Sequence, residues 1–443
     1  MTARTDSFVA LNRFGLGAAY GDLDRVAGDP RGWLREQLAQ PPALPPELAA
    51  FAPGSDHARD IVNAVQDKSV LKERFRKKAR ALYLEEAGQR TLAAIHAKTP
   101  LIERLVHFWS NHFTVSVAGK PILALLVGAF EREAIRPHVT GRFADMLHAV
   151  VSHPAMLLYL DNATSFGPKS RGGRARDKGL NENLAREILE LHTLGVDGGY
   201  TQGDVQEFAK ILTGWSVGRP KSAEAGQFRF HGVVHEPGDK RLLGKRYRED
   251  GMAEGEAALA DLARHPSTAR FIAGKFARHF VADKPPAAAV DRLAAVFRDG
   301  DGDLGELARA TVGMAEAWAD PLAKVKTPQD LVVSALRLTT FDGDAGKLVA
   351  ALTLLGQLPF AAPSPAGWPD DAAGWIGPEA SLRRVEWSMA LAQRLPRDLS
   401  PTALAAATIA PVAHRDTMLA IERAADVHEA IALLFASPEF QRR

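Results

Sequence analysis

Residues 181–215 hold the densest set of groups able to do chemistry in this chain. Glu187, Glu190 and His192, with Arg186 beside them, lie on a stretch otherwise rich in leucine. Polar side chains among leucines in a helix cost stability, so their presence calls for a reason. Two carboxylates on one face can share a proton, hold a cation with ligands from elsewhere, or pair with arginines. The structural alternative is that Glu187 caps a neighbouring helix or neutralises a buried arginine. Asn181 or Asn183 can cap a first helix that ends at Gly195, and Thr201, with Asp204 three residues on, can cap a second. Gly198-Gly199 between them allows a tight reversal. The segment is therefore expected to form a helical hairpin.

At about 100° per residue, Asn183, Glu187, Glu190 and Leu194 line one stripe of the first helix. Glu187 and His192 stand five residues apart, about 140° around a regular helix, so both can serve one metal only if the last turn unwinds near His192. Glu187, Glu190, His192 and Arg186 form the candidate catalytic set.

Two further elements carry histidines. Leu105, Trp109 and His112 recur at helical spacing, so His112 points with an apolar stripe, and a buried histidine must be hydrogen-bonded or ligated. His107 follows Glu103 by four and reads as the outer partner of a helix-surface pair. His231 and His235 sit in a loop with Glu236-Pro237-Gly238-Asp239, and loops on a helical scaffold tend to carry binding groups. His112, His192, His235 and Glu187 are the candidate metal ligands. With Glu190 beside them, these three histidines and two carboxylates suit a borderline divalent cofactor such as Zn²⁺, Mn²⁺ or Fe²⁺. Such an ion would activate water for hydrolysis or support an oxidative step. A buried hydrogen-bond network specifying the fold is the alternative without metal.

Other chemistries have little support. The chain has no cysteine, which removes thiol nucleophiles and thiolate metal sites. No G-x-S-x-G elbow is present, and Phe14-Gly15-Leu16-Gly17 is too short for a dinucleotide fingerprint. Trp109, Trp215, Trp368 and Trp375 are candidates to wall a pocket or to fill a core.

The elements that must position these groups are mostly helices. Ala, Leu and Arg dominate and apolar residues recur with helical spacing, which predicts an all-α, multi-helix bundle. Helices are expected at 29–39, 100–113, 122–135, 142–151, 155–160, 183–194, 202–213, 254–264, 267–281 and 286–297. More follow at 304–318, 328–338, 345–355, 379–394, 401–407 and 427–436. Thr99-Pro100, Ser267 and Thr327-Pro328 mark helix starts. Leu71, Phe75, Ala79 and Leu82 stripe a long helix whose Arg74, Arg76, Lys77, Lys78 and Arg80 read as a solvated face.

One short β-hairpin is expected near 228–247, pairing 228–230 with 241–247. Segments 163–179, basic and glycine-containing, and 359–378, rich in Pro, Ala and Gly, read as mobile. The expected organisation is an N-terminal helical lobe over 1–225, a hairpin insertion at 226–250 and a C-terminal helical lobe over 251–443, as one continuous unit.

A net charge of +2 is too small to argue for nucleic acid or a membrane surface. The first residues lack a basic stretch followed by an apolar one, and the most apolar window, 121–130, is about half a membrane span. A soluble, cytoplasmic protein is expected.

Taken together, several motifs carry a resemblance. They are Leu11-Asn12-Arg13-Phe14-Gly15, Phe108-Trp109-Ser110-Asn111-His112-Phe113, His153-Pro154-Ala155-Met156 with Tyr159-Leu160-Asp161-Asn162, and the 181–215 block. His235-x-Pro237-Gly238-x-Lys240 with Leu243-Gly244, Gly356-Gln357-x-Pro359, Gly367-Trp368 and Ser437-Pro438-Glu439-Phe440 extend it over nearly the whole chain. The chain resembles the bacterial family called domain of unknown function 1800. The resemblance implies a mainly α-helical protein, often encoded beside a sulfatase- or phosphatase-like one. An Asp usually follows the loop histidine in that family; here it is Glu236, with the same charge on a longer arm. Many relatives carry export signals, so co-export with a partner into the periplasm is the alternative location. Two functions follow: a soluble enzyme with a His/carboxylate site, metal-dependent and hydrolytic or oxidative, or a non-catalytic binding or maturation partner of the sulfatase/phosphatase-like neighbour.

Overall fold

The computed structural model describes residues 3–69, 72–176, 179–341 and 343–443. Among them are 23 α-helices and two small antiparallel hairpins, so the fold is mainly all-α. No helix among these residues is long and apolar enough to cross a membrane.

Local chemistry sets several of the helix starts. Thr201 and Asp204 form a reciprocal capping box ahead of Gln202–Ile211, and Thr327 and Asp330 do the same ahead of Pro328–Leu338. The helix Pro266–Phe280 begins one residue earlier than expected, because the His265 ring accepts from the Ser267 N–H at 3.1 Å.

Two expected helices are broken into unlike pieces. Residues 122–135 become a 3₁₀ turn, Pro121–Leu125, then Val127–Phe130 and a π-helical turn, Glu131–Ile135. The helix expected over 183–194 runs Asn183–Glu187 and widens into a π turn, Ile188–His192. A third π turn, Ala10–Phe14, contains Arg13. Such turns insert one residue into the helical ladder and redirect the side chains that follow.

The basic helix spans Glu73–His96. Phe75, Ala79 and Leu82 face the core as expected, while Arg74, Arg76, Lys77, Lys78 and Arg80 are exposed. Leu71, the expected start of that stripe, lies outside the described residues, as do Asp177 and Lys178 of the basic loop. The preceding residues of that loop include a short helix, Arg171–Arg176.

The expected single hairpin is corrected to two. Phe228–Phe230 pairs with Trp215–Val217, not with 241–247, and Lys240–Leu242 pairs with Lys245–Tyr247. Leu243 and Gly244 both have positive φ, 49° and 78°, so this two-residue turn closes the second hairpin on itself. The buried strand Trp215–Val217, directly after the 202–211 helix, is then the free partner for 228–230.

Two large apolar cores result, with a small third cluster of Phe8, Leu11, Ala18, Leu23 and Val26. The larger joins side chains from Val9 to Val349 around Trp109, Phe143 and Phe276; the second joins Leu331–Phe440 with Ala94 and Ile95. The helix Glu73–His96 contributes to both.

Buried ion pairs tie these helices together. Arg136 grips Glu103 with two bonds, 2.5 and 2.8 Å, and Arg90 donates to Glu131 at 2.8 Å. Glu103 is thus committed to Arg136, which corrects its expected pairing with His107. Breaking one partner of such a pair strands a buried charge, at a cost of about 3–5 kcal/mol. Glu103→Gln is expected to lose stability of that order in urea unfolding. Glu103→Met with Arg136→Met should recover most of it; a single variant within about 1 kcal/mol of the parent would contradict the assignment.

Candidate functional site

In the 181–215 hairpin, Arg186 donates to Glu182 and to Gln202 at 2.9 Å, tying its two helices together. Glu187 and Glu190 are half-buried, and burial followed by the Glu190 charge raises the Glu187 pKa. Tyr200 hydrogen-bonds Glu190. The π turn is the local unwinding that a site shared by Glu187 and His192 would need. Even so, the two residues meet different charges: Glu187 meets Glu190 and Arg186, whereas His192 meets Lys275.

His192 and His112 do come together. Each is 1% exposed, and their ring centroids lie 6.2 Å apart. The His112 Nε2–H donates to the His192 carbonyl at 3.1 Å. The Nδ1 atoms of both are buried and without a hydrogen-bond partner among the described residues.

His235 is elsewhere. Its Nδ1–H donates to the Thr213 carbonyl at 2.8 Å, which leaves Nε2 to accept from Lys240 at 3.2 Å. Lys240 also reaches Glu254 at 3.0 Å, completing a buried triad. Glu236 accepts from the Lys169 N–H at 2.8 Å and pins the neighbouring loop. The His235-x-Pro-Gly-x-Lys240 motif therefore shapes this loop. The four expected ligands do not form one set: only His112 and His192 are adjacent, and both His235 nitrogens are engaged. Among the described residues no group of three or more His, Asp or Glu side chains is placed to hold a metal ion.

What His112 does line is a cavity of about 470 Å³. Its walls come chiefly from the helices Pro100–His112, Pro266–Phe280 and the start of Pro328–Leu338 and from the segment 357–371, with Arg90 of Glu73–His96 and Phe130 of Val127–Phe130. Leu191 brings the 181–215 hairpin to its edge. Asn111 fixes the segment by exchanging two bonds with the Trp368 backbone, 2.8 and 3.0 Å. Gly367 is required here: its φ is +84°, and a Cβ would lie 2.4 Å from the Asn111 carbonyl. Of the four candidate tryptophans only Trp368 lines this cavity; Trp109 and Trp215 are fully buried in the core, and Trp375 packs 6.0 Å from Trp368.

Within the cavity wall sits an Asp–His pair that sequence reasoning missed. His279 Nδ1 lies 2.8 Å from Asp370 Oδ2, so Nδ1–H donates to the carboxylate and the Nε2 lone pair is left free. That Nε2 is buried and has no partner among the described residues. Asp370 also meets Lys324, and although burial alone would raise its pKa, His279, Lys324 and Arg443 hold it well below the usual carboxylate range. The signals available were weak. Asp370 stands two residues beyond the recognised Gly367-Trp368, and His279 is one more polar residue in an amphipathic helix.

The buried histidines make stability depend on pH. Burial pushes His192 down to about 3 and His279 down to about 4, and His112 well below its ordinary value. The folded chain therefore refuses protons that the unfolded chain accepts below about pH 6.5. Stability is full above that value and falls as the pH drops toward 4, by about 1.4 kcal/mol per unit for each histidine. Thermal unfolding from pH 7.5 to 4.5 is expected to show a steadily falling midpoint, and a midpoint flat from 7 to 5 would contradict neutral burial.

A family model described as a protein of unknown function (DUF1800) matches residues 9–442. No curated protein and no solved structure matches the chain. The match takes in the Arg13 turn, both histidine helices, the His235 loop and the Trp368–Asp370 wall, and on that extent the chain belongs to the DUF1800 family.

Proposed function

We propose that the protein is an enzyme working by general acid–base, hydrolytic chemistry on a small molecule held in the His112 cavity. The observation that carries this reading is the His279–Asp370 pair, with its unpartnered Nε2, in the wall of that cavity. Asp370 fixes the tautomer and would stabilise the imidazolium formed when Nε2 takes a proton from water or a ligand hydroxyl. A cavity of this size suits a small ligand. His192 supports His112 through its carbonyl, while Glu187, Glu190 and Arg186 form a separate polar face of the hairpin.

The test is a panel of ester, phosphoester, amide and glycoside substrates with the intact protein. His279→Asn and Asp370→Asn are each expected to lower any turnover by about 10²–10⁴-fold with folding retained by circular dichroism. Turnover undiminished in both variants would sink the assignment.

A second reading, a non-catalytic partner of a sulfatase/phosphatase-like neighbour, has one observation in its favour. Leu382, Val385 and Met389, exposed by 58%, 42% and 56%, line one face of the helix Pro378–Ala392, with exposed Ile376 just before that helix. Co-purification with the neighbour that is lost in Leu382→Asp and kept in His279→Asn would favour this reading. Co-purification unaffected by Leu382→Asp would remove the stripe as its basis.

A further inference from the structure

Four cations, Arg90, Arg104, Lys275 and Arg278, line the cavity against three carboxylates, Asp330, Asp370 and Asp371, the last of which accepts from the Gly374 N–H. Arg90 is neutralised by Glu131 and also donates to Gln329, and Arg104 meets Asp330 at 3.2 Å. Lys275 and Arg278 also line the cavity, and neither has a hydrogen-bond or ion-pair partner among the described residues. They stand one turn apart on the helix Pro266–Phe280, so both project from the same face.

We infer that the cavity recognises a ligand bearing a carboxylate or phosphate group, which Lys275 and Arg278 seat. This rests on the cavity being the working site. The neighbours of Lys275 support it. His112 and His192 both register its charge, are kept neutral by burial beside it, and have no negative charge to set against it. Asp370 is the nearest opposing charge, but it is already engaged by His279 and Lys324. Lys275 Nζ otherwise faces the Phe271 ring, with 5.6 Å to its centroid. A partly buried ammonium without an ion-pair partner is costly, and a bound anion supplies the missing charge. Consistent with this, burial lowers the Lys275 pKa to about 8.

The same helix places the anchor beside the base. His279 follows Arg278 directly and lies four residues after Lys275, so an anion seated on the two cations sets the rest of the ligand against His279. Phe108, Phe360 and Trp368 offer an apolar wall for its body.

Benzoate and phenyl phosphate, with benzyl alcohol as the neutral control, test this by isothermal titration into the intact protein. Both anions, or one of them, are expected to bind and the alcohol not; the tighter anion identifies which group the site prefers. Lys275→Met with Arg278→Met should weaken the anion by about tenfold or more, while Lys275→Arg stays within about threefold. If the double variant does not fold, protection of Lys275 from acetylation by the same anions in the parent protein decides the question. His279→Asn should keep anion binding even if the acid–base reading fails, which separates the two failures. Equal binding of alcohol and anion, absence of binding by both anions, binding unchanged in the double variant, or no protection of Lys275 would overturn the inference.

Discussion

Asp330 is the group on which the arrangement depends. It completes the capping box that starts Pro328–Leu338, and it lies 3.2 Å from Arg104 and 3.1 Å from Arg443. Arg104 in turn donates to the carbonyls of Gly15 and Asn12. Arg13 donates to the carbonyls of Phe280, Val281, Ala317, Asp320 and Arg443. A guanidinium out of water is tolerable only when its charge and its fixed fork of donors are both met. Helices from opposite ends of the chain are therefore held in one relation to each other. Placing Arg13 at the C-terminal end of Pro266–Phe280 also matches the sign of that helix dipole.

That relation creates the cavity. Pro266–Phe280 is held at its end by Arg13, and it presents Lys275, Arg278 and His279 together to the space. The opposite wall, 357–371, is locked by Asn111 and by Lys324, whose ammonium donates to the Asp370 carbonyl at 2.7 Å. The cations that build the scaffold are each held by carbonyls or carboxylates, even though Nε of Arg13, Arg136 and Arg443 has no hydrogen-bond partner, whereas Lys275 and Arg278 have no such partner at all among the described residues. A difference of this kind between neighbouring cations separates groups that hold the fold from groups left for a ligand.

The histidines divide on the same principle. His235 has both nitrogens committed and belongs to a loop-shaping triad with Lys240 and Glu254. His153 and His265 serve as helix caps. His112, His192 and His279 each keep a buried nitrogen without a hydrogen-bond partner among the described residues, and all three lie at or beside the cavity. Identical residue types thus carry different chemistry according to what the second ring nitrogen touches.

Much was legible in the sequence because it is local. The helical class followed from apolar spacing, the Thr201 and Thr327 starts from capping chemistry, and the family from motifs spread along the whole chain. The burial of His112 was readable from its phase with Leu105 and Trp109. What could not be read was which distant groups meet. The partner of 228–230 depended on a two-residue turn at Leu243-Gly244 that lacks the usual Asn-Gly signal. His235 looked like a partner for His192, yet Lys240, five residues away, and Glu254 claimed it. The pairing of His279 with Asp370 spans 91 residues and joins a helix to a loop, with no periodicity to announce it. Sequence determines local conformation and burial through short-range physics. The site is decided by charge matching between remote segments, and only the folded chain sets those distances.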